Sequence, residues 1–338
     1  MECRQNILFL INPKSGVLGK RNLPRLIEEN INRDRYDYKI EFTQFAGHAS
    51  ELAAAAADRG VNVVVAVGGD GTVNEVARSL VHTNTALGVL PCGSGNGFAR
   101  HLGIPLDLKK AVEFINVAEP VSIDYGKLNG KPFFCACGLG FDALVSADFA
   151  NGEHRGMFGY VQKTLVDWVR YEPEVYELEA DSGKKSYRAF LIACGNASQY
   201  GNNAYITPFA SMRDGMLSVS ILEPFTPIEV PVVVAQLFSN TLNDNSRMTT
   251  FTTRKVLIKR KSPGPVHYDG EPYMMDRELM VEVVPGGLNV LASPGWDGTC
   301  VPVPLYRQIR EVMEGAVAEL PAFPSFPSFN SKWWVVRK

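Results

Sequence analysis

The chain has 338 residues, 46% hydrophobic and 21% charged, the composition of a globular protein long enough for two domains. Its 34 basic and 36 acidic residues leave a formal net charge of -2, so it lacks the strongly basic footprint of a nucleic-acid binder. Six cysteines in a chain of this length do not make a disulfide scaffold.

The first apolar run, 7–11, reads as a short strand. It is too short for the core of a signal peptide, and no run in the chain reaches the length of a membrane span. The expectation is a cytoplasmic protein that meets membranes from outside. Residues 23–31 have helical spacing, 39–45 alternate like a strand, and 50–59 form an alanine-rich helix closed by Gly60. The continuous apolar run 61–67 suits a strand buried on both faces. A helical pattern follows at 73–80, a strand at 86–90 and a helix at 108–117. Such repeated βα units predict a Rossmann-like parallel sheet with helices on both faces.

Near residue 122 the pattern changes. "VSIDYGKLNGKPFFCACG" reads as two strands joined at Asn129-Gly130, and "VYELEADSGKKSYRAFLIACG" as two more with a turn near Ser182-Gly183. "GMLSVSILEP", "RKVLIKRK" and "LMVEVVPGGLNVLAS" add further strands, with helices expected at 157–169 and 228–238. The expected organisation is an α/β domain over 1–122, an antiparallel β-sandwich over 123–295, and a tail over 296–338. The tail holds a helix at 304–320 and an aromatic, proline-rich end that packs back, stays disordered or dips into a lipid interface. Cys135 and Cys137, two apart in an apolar run, are expected on one face of a strand as buried small hydrophobes.

Three glycine-rich turns follow three strands of the predicted sheet: Asn12, Pro13, Lys14, Ser15 and Gly16; Gly68, Gly69, Asp70, Gly71 and Thr72; and 91–96, with Gly93, Ser94 and Asn96. All three should open on one edge, where ligands of parallel sheets bind. Glycine lets backbone N–H groups approach an anion, and two of the turns run into helix N-termini. A carboxylate among phosphate-facing amides makes sense when a metal ion bridges them, so Asp70 points to ATP with magnesium. "KSGVLGKR" is not a P-loop, because it lacks the first glycine and Arg21 replaces the hydroxyl residue. "GSGNGF" follows a later strand and ends in Phe98, so it is not a dinucleotide fingerprint.

"NPKSG", "GGDGTVNEVA" and "LPCGSGNGFARHLGIP", in that order and spacing, resemble the diacylglycerol kinase catalytic-domain family, which includes bacterial lipid kinases and sphingosine kinases. The likeness runs from about residue 5 to about 295. It implies an α/β nucleotide domain, a β-sandwich domain and an active site between them. It also implies that Asn12, Lys14, Ser15, Gly16, Thr43, Gly68 to Thr72, Glu75, Ser94 and Asn96 line the nucleotide pocket. Asp70 and Asp124 would hold magnesium. "SMRDGML" matches a second signature in which Asp214, with carbonyls of neighbours such as Ser211 and Met216, binds a structural magnesium.

"HYDGEPY" matches the family's D-G-E signature. Asp269 and Glu271, flanking a glycine on an extended segment, would point the same way. One of them would be the base that takes the proton from a lipid hydroxyl. The resemblance therefore implies an ATP- and magnesium-dependent kinase acting on diacylglycerol or a related glycerolipid at a membrane surface. G-S-G-N is closer to the sphingosine kinase form, so a sphingoid base is the alternative acceptor. Yet Leu144 stands where sphingosine kinases place the acid that reads the lipid amine, and Asp142 follows the bacterial pattern. Arg155 and Lys163 read as solvated charge or headgroup contacts. An NAD-kinase-like enzyme, sharing the G-G-D-G turn, and a non-catalytic nucleotide-binding regulator are further alternatives. A homodimer is left open.

Overall fold

In strand β1 (Gln5–Ile11) five consecutive apolar residues, Ile7 to Ile11, are buried, as only a strand covered on both faces allows. It pairs in parallel with β2 (Tyr36–Phe42) on one side and β3 (Val63–Gly68) on the other, and β4 (Ala86–Pro91) extends the sheet. The computed structural model describes residues 4–14, 22–150, 171–304, 306 and 308, with the backbone alone at 147–150. Helices α1 (Leu23–Asn30), α2 (His48–Asp58), α3 (Asp70–Leu80), α4 (Gly97–His101) and α5 (Leu108–Val117) follow the strands. The register sets the strand ends level: Ile11 lies opposite Phe42 and Val67, and Gly68 opposite Pro91. The loops after all four strands therefore leave the sheet at one edge.

The sheet does not stop at β4. The long strand β16 (Glu278–Ala292) joins it through Val290 beside Leu87, and also pairs antiparallel with β5 (Glu119–Leu128). Next to β16 come β13 (Lys255–Lys259), β8 (Glu174–Ala180) and β9 (Gly183–Ala189), while β6 (Lys131–Phe133) pairs with β5. Ten strands thus form one sheet among the described residues. A second sheet has six, in the order β12 (Met248–Thr253), β11 (Leu217–Leu222), β10 (Leu191–Gly195), β7 (Ala136–Gly140), β14 (Gly264–Tyr268) and β15 (Glu271–Met275). Its pairings are all antiparallel.

Three cores follow. One lies around β1, β3 and β4, with Phe9, Val65 and Leu90 under α-helix residues such as Ile27, Ala53 and Val76. The second fills the space between the sheets, where Leu178, Val256 and Val281 meet Ile192, Val219 and Val266. The third contains Phe141, Phe190 and Leu191, and it includes Val233 of α7 (Val230–Ser239). Phe141 opens α6 (Phe141–Ala150). A parallel α/β layer followed by an antiparallel sandwich is the architecture that the alternation predicts.

Two expected strands are each broken in two. Phe190 separates β9 from β10, and Phe134 with Cys135 separates β6 from β7, so in both places the chain crosses from one sheet to the other. This overturns the shared face expected of Cys135 and Cys137: Cys135 belongs to the α/β core and Cys137 to the sandwich core. Period-two alternation holds only while the strand stays in one sheet. The helix expected from residue 73 begins earlier, at Asp70, so the second glycine turn is itself the helix N-terminus. The expected helices at 157–169 and most of 304–320, with the aromatic tail, Arg155 and Lys163, fall outside the described residues. The chain divides into two compact units, one ending at Pro302 and the other starting at Val303.

Candidate active site

At the level edge of the parallel sheet the first and second turns are tied together. Asn12 donates from Nδ2 to Thr72 Oγ1 at 3.1 Å, and its Oδ1 accepts from the Lys14 backbone N–H at 2.9 Å. Pro13 and Lys14 are exposed, whereas Ser15 and Gly16 lie outside the described residues. Thr43 follows β2 at the same edge, buried, with its N–H on Ile11 O at 2.9 Å. The second and third turns touch backbone to backbone: a Cβ on Gly93 would stand 2.5 Å from Gly69 Cα. Gly68 is equally confined, since a Cβ there would meet Thr72 Oγ1 at 2.5 Å. Asn96 closes the third turn on itself, accepting from Gly93 N–H at 2.9 Å and donating to Gly93 O at 2.7 Å. Ser94 is exposed in the same turn.

Asp70 stands where these turns converge. The backbone N–H groups of Phe98, Asn96 and Gly97, at the start of α4, donate to its carboxylate. Burial nevertheless pushes its carboxyl above the usual carboxylate range, and those amides only partly oppose it. Its Oδ1 is buried without a hydrogen-bond partner among the described residues. A carboxylate oxygen held out of water is stable only with a cation or donor opposite it, so Asp70 fits a metal-bound triphosphate. No cluster of three or more Asp, Glu, His or Cys that could hold a metal occurs among the described residues, so a magnesium at Asp70 would take its other ligands from phosphate and water. Gly71 is exposed with open space around it. Glu75, on the same helix, is half-buried, and its carbonyl accepts from Ser50 Oγ at 2.8 Å.

The D-G-E segment is not extended. The strand ends at Tyr268, which pairs with Glu271, leaving Asp269 (φ 49°) and Gly270 (φ 82°) as a two-residue hairpin turn. The two acids therefore do not project side by side. Asp269 turns inward. Its Oδ1 accepts from the N–H groups of Cys135 (2.7 Å) and Ala136 (3.2 Å), and its Oδ2 from Phe134 N–H (2.8 Å) and Asn74 Nδ2 (2.5 Å). The amides of Phe134 and Cys135 are free to donate because the chain changes sheets there, and Ala136 is the first residue of β7. Burial raises the Asp269 carboxyl, against the pull of all four donors. Glu271 is exposed, and its Oε2 accepts from the Tyr273 hydroxyl at 2.8 Å. Tyr273 stacks on Tyr268 at 4.3 Å, and Arg78 of α3 lies over Tyr268 at 5.4 Å.

Asp124 makes its side-chain hydrogen bonds outside the glycine turns. Strand β5 delivers it to the 211–216 loop and to the bulge of β16, where Oδ2 accepts from Gly215 N–H at 2.7 Å and Oδ1 from Gly286 N–H at 2.8 Å. Its charge acts on Asp214, whose carboxyl is raised by burial first and by Asp124 as the further raising influence. Asp214 accepts from Met216 N–H at 3.0 Å, and Ser211 Oγ accepts from Arg213 N–H at 3.3 Å.

Asn74, the amides of Phe134 to Ala136, Tyr273 and Arg78 carry no role in the sequence reading. Asn74 was legible in principle: it lies one helical turn beyond Asp70, on the same face of α3. The amides were not, since nothing in "FFCA" marks where a strand leaves its sheet.

Residues 6–128 match the diacylglycerol kinase catalytic domain, and residues 136–292 match the YegS C-terminal NAD kinase beta sandwich-like domain. A protein of Pseudomonas syringae pv. syringae (strain B728a) named "Probable lipid kinase YegS-like" is 30% identical over 80% of this chain and 90% of its own length. One of the same name from Chromohalobacter salexigens is 28% identical over 85% and 93%. The crystal structure of a diacylglycerol kinase from Bacillus anthracis str. Sterne shares the fold, with a TM-score of 0.68 at 19% identity over 86% of this chain and 97% of that one.

Proposed function

The chain belongs to the YegS-like family of lipid kinases, and from that premise we propose that it transfers the γ-phosphoryl group of ATP to a lipid hydroxyl, with diacylglycerol or a related glycerolipid as acceptor. The observation that supports this most is the junction of the two halves of the site. Helix α3 starts at Asp70 in the glycine turns, and one turn later its Asn74 holds Asp269 of the acidic hairpin at 2.5 Å.

Asn12, Lys14 and the amides of the second turn would hold the triphosphate, and the unpartnered oxygen of Asp70 would face its cation. Magnesium bound there would neutralise the charge that develops on the transferred group. Glu271 accepts the proton of the lipid hydroxyl. It is exposed, with the Tyr273 hydroxyl on one oxygen, whereas both oxygens of Asp269 already accept N–H groups. Asp269 is then the anchor that sets the hairpin carrying the base. Catalysis of this kind rests on positioning and electrostatics. The acceptor is taken from a membrane surface that the protein contacts peripherally. No helix among the described residues is long and apolar enough to cross a membrane.

The test is incubation of the full chain with γ-labelled ATP and magnesium against diacylglycerol, a sphingoid base and NAD, with products separated on thin layers. Label in phosphatidic acid is expected. Label confined to the sphingoid base or NAD, or ATP binding with no transfer, overturns the assignment.

A further inference from the structure

A second buried polar network joins the hairpin to the third glycine turn, and it uses residues outside the mechanism above. Its centre is Asp142, the first-turn acid of α6. Asp142 Oδ2 accepts from the Tyr200 hydroxyl at 2.6 Å and faces His267 Nε2 at 3.1 Å, while Oδ1 accepts from Ala143 N–H at 2.8 Å. His267 is 2% exposed and lies on β14, two residues before Asp269. It pairs with Gly138 of β7, where a Cβ would stand 2.2 Å from Asp142 Oδ2 and 2.5 Å from His267 Nε2. The glycine thus leaves the room in which this carboxylate and imidazole meet over the strand.

On the other side Tyr200 opens a loop seated on the third turn. Asn202 N–H donates to Gly95 O at 3.0 Å, and a Cβ on Gly97 would meet Tyr200 O at 2.9 Å. Arg100 pins both partners, with Nε on Gly95 O at 3.1 Å and Nη1 on Asn203 Oδ1 at 3.0 Å. Gly95 in turn packs against Asp70, since a Cβ there would lie 2.9 Å from Asp70 Oδ2.

We propose that Asp142 is a positioning residue that fixes the acidic hairpin relative to the third glycine turn, through His267 on one side and Tyr200 on the other. Asp269 and Asp70 are thereby spanned twice, once by α3 through Asn74 and once by this network. Two independent struts define the separation of phosphate donor and base more tightly than one, and buried hydrogen bonds such as those of Tyr200 and His267 to Asp142 suit that role. The role rests on the kinase reading for its purpose but not for its existence.

The mildest test is Tyr200→Phe, which removes one hydroxyl, with Asp142→Asn beside it. Amide hydrogen exchange is measured on the full chain without nucleotide. The expected result is exchange at the Phe134, Cys135 and Ala136 amides about tenfold faster in both variants, with the thermal midpoint near that of the unsubstituted chain. Those amides donate to Asp269 and not to Tyr200, so a local role would leave them unchanged, and that result overturns the proposal. In the lipid assay kcat should fall about tenfold with KM for ATP within about twofold, the split expected when alignment and not binding is lost. A chain that transfers no phosphoryl group refutes the kinase reading, and the exchange comparison still decides the link.

Discussion

Asn74 and Asp269 stand 195 positions apart in the chain and meet side chain to side chain at 2.5 Å, amide donor to carboxylate acceptor. This contact joins the helix that begins at the phosphate turn to the hairpin that carries Glu271. Hydrogen bonds to a charged group contribute about 1.5–3 kcal/mol, and a buried carboxylate that loses one donor is left short of it. Asn74→Ala is therefore expected to lower unfolding free energy by that order, read from urea denaturation, and to lower kcat with it. Asn74→Asp should be worse than Asn74→Ala, because it sets a second carboxylate against the first.

The two acids of the hairpin should separate cleanly by substitution. Glu271→Gln removes an exposed carboxylate whose partner is the neighbouring Tyr273 hydroxyl, so the expected thermal midpoint is unchanged. Its kcat should drop by about 10²–10⁴, the usual contribution of a general base. Asp269→Asn places an NH₂ group against backbone donors and should cost about 1–3 kcal/mol of stability. Reversed outcomes, with Glu271→Gln unstable and active and Asp269→Asn stable and inactive, would make Asp269 the base.

Asp70 should act through its unpartnered oxygen, Oδ1. Asp70→Asn keeps the shape of the side chain while removing the charge that Oδ1 presents to a cation. The expected loss is at least about a hundredfold in kcat/KM, by comparison with removing one transition-state stabiliser. Magnesium titration of the residual activity should reach its half-maximum at a higher metal concentration in the variant than in the unsubstituted chain.

The parallel layer was readable because its signal is strong: unbroken apolar runs in β1, β3 and β4, helices at regular intervals, and glycine-rich turns after those three strands. Level strand ends made the convergence of Asn12, Asp70 and Asn96 readable too. What escaped was set by tertiary geometry. The strand breaks at Phe134 and Phe190 lie in apolar runs with no punctuating residue. The turn at Asp269-Gly270 carries a strong turn dipeptide, but the acidic spacing drew the reading toward an extended segment. Asp124 has the residue type of a metal ligand, and only the long path of β5 and β16 reveals that Gly215 and Gly286 hold it.

His101 makes stability depend on pH from within the third turn's helix. Its Nδ1 accepts from Ser198 N–H at 3.0 Å and its Nε2 faces Gly298 O at 3.0 Å, so the neutral ring fits both partners. Burial lowers its pKa from 6.5 to about 4. The unfolded chain then binds a proton on this ring between those values and the folded chain does not. Its contribution is full above about 6.5 and is lost as pH falls toward about 4, on the order of 3 kcal/mol. Burial of Asp70 and Asp269 raises their carboxyls and works in the opposite sense on acidification. The difference between the unsubstituted chain and His101→Gln, from denaturation at pH 7 and pH 4.5, isolates the histidine. The gap should narrow at the lower pH.

Gly93 and Gly71 sit in neighbouring turns and should fail differently. A Cβ on Gly93 would press to 2.5 Å from Gly69 Cα, backbone against backbone, where no side chain can yield. Gly93→Ala should therefore cost about 1–3 kcal/mol and lower the thermal midpoint, as overpacking does. Around Gly71 a Cβ would meet nothing within 4 Å, and the residue lies in the first turn of α3. Gly71→Ala should keep or slightly raise the midpoint, because alanine restricts the unfolded chain. If the open space above Gly71 is where phosphate oxygens approach the helix N-terminus, the added methyl blocks them. Calorimetric titration with ATP and magnesium should then show weaker binding by Gly71→Ala at unchanged stability. Unaltered affinity would place the triphosphate elsewhere on this edge, nearer Asn12 and Lys14.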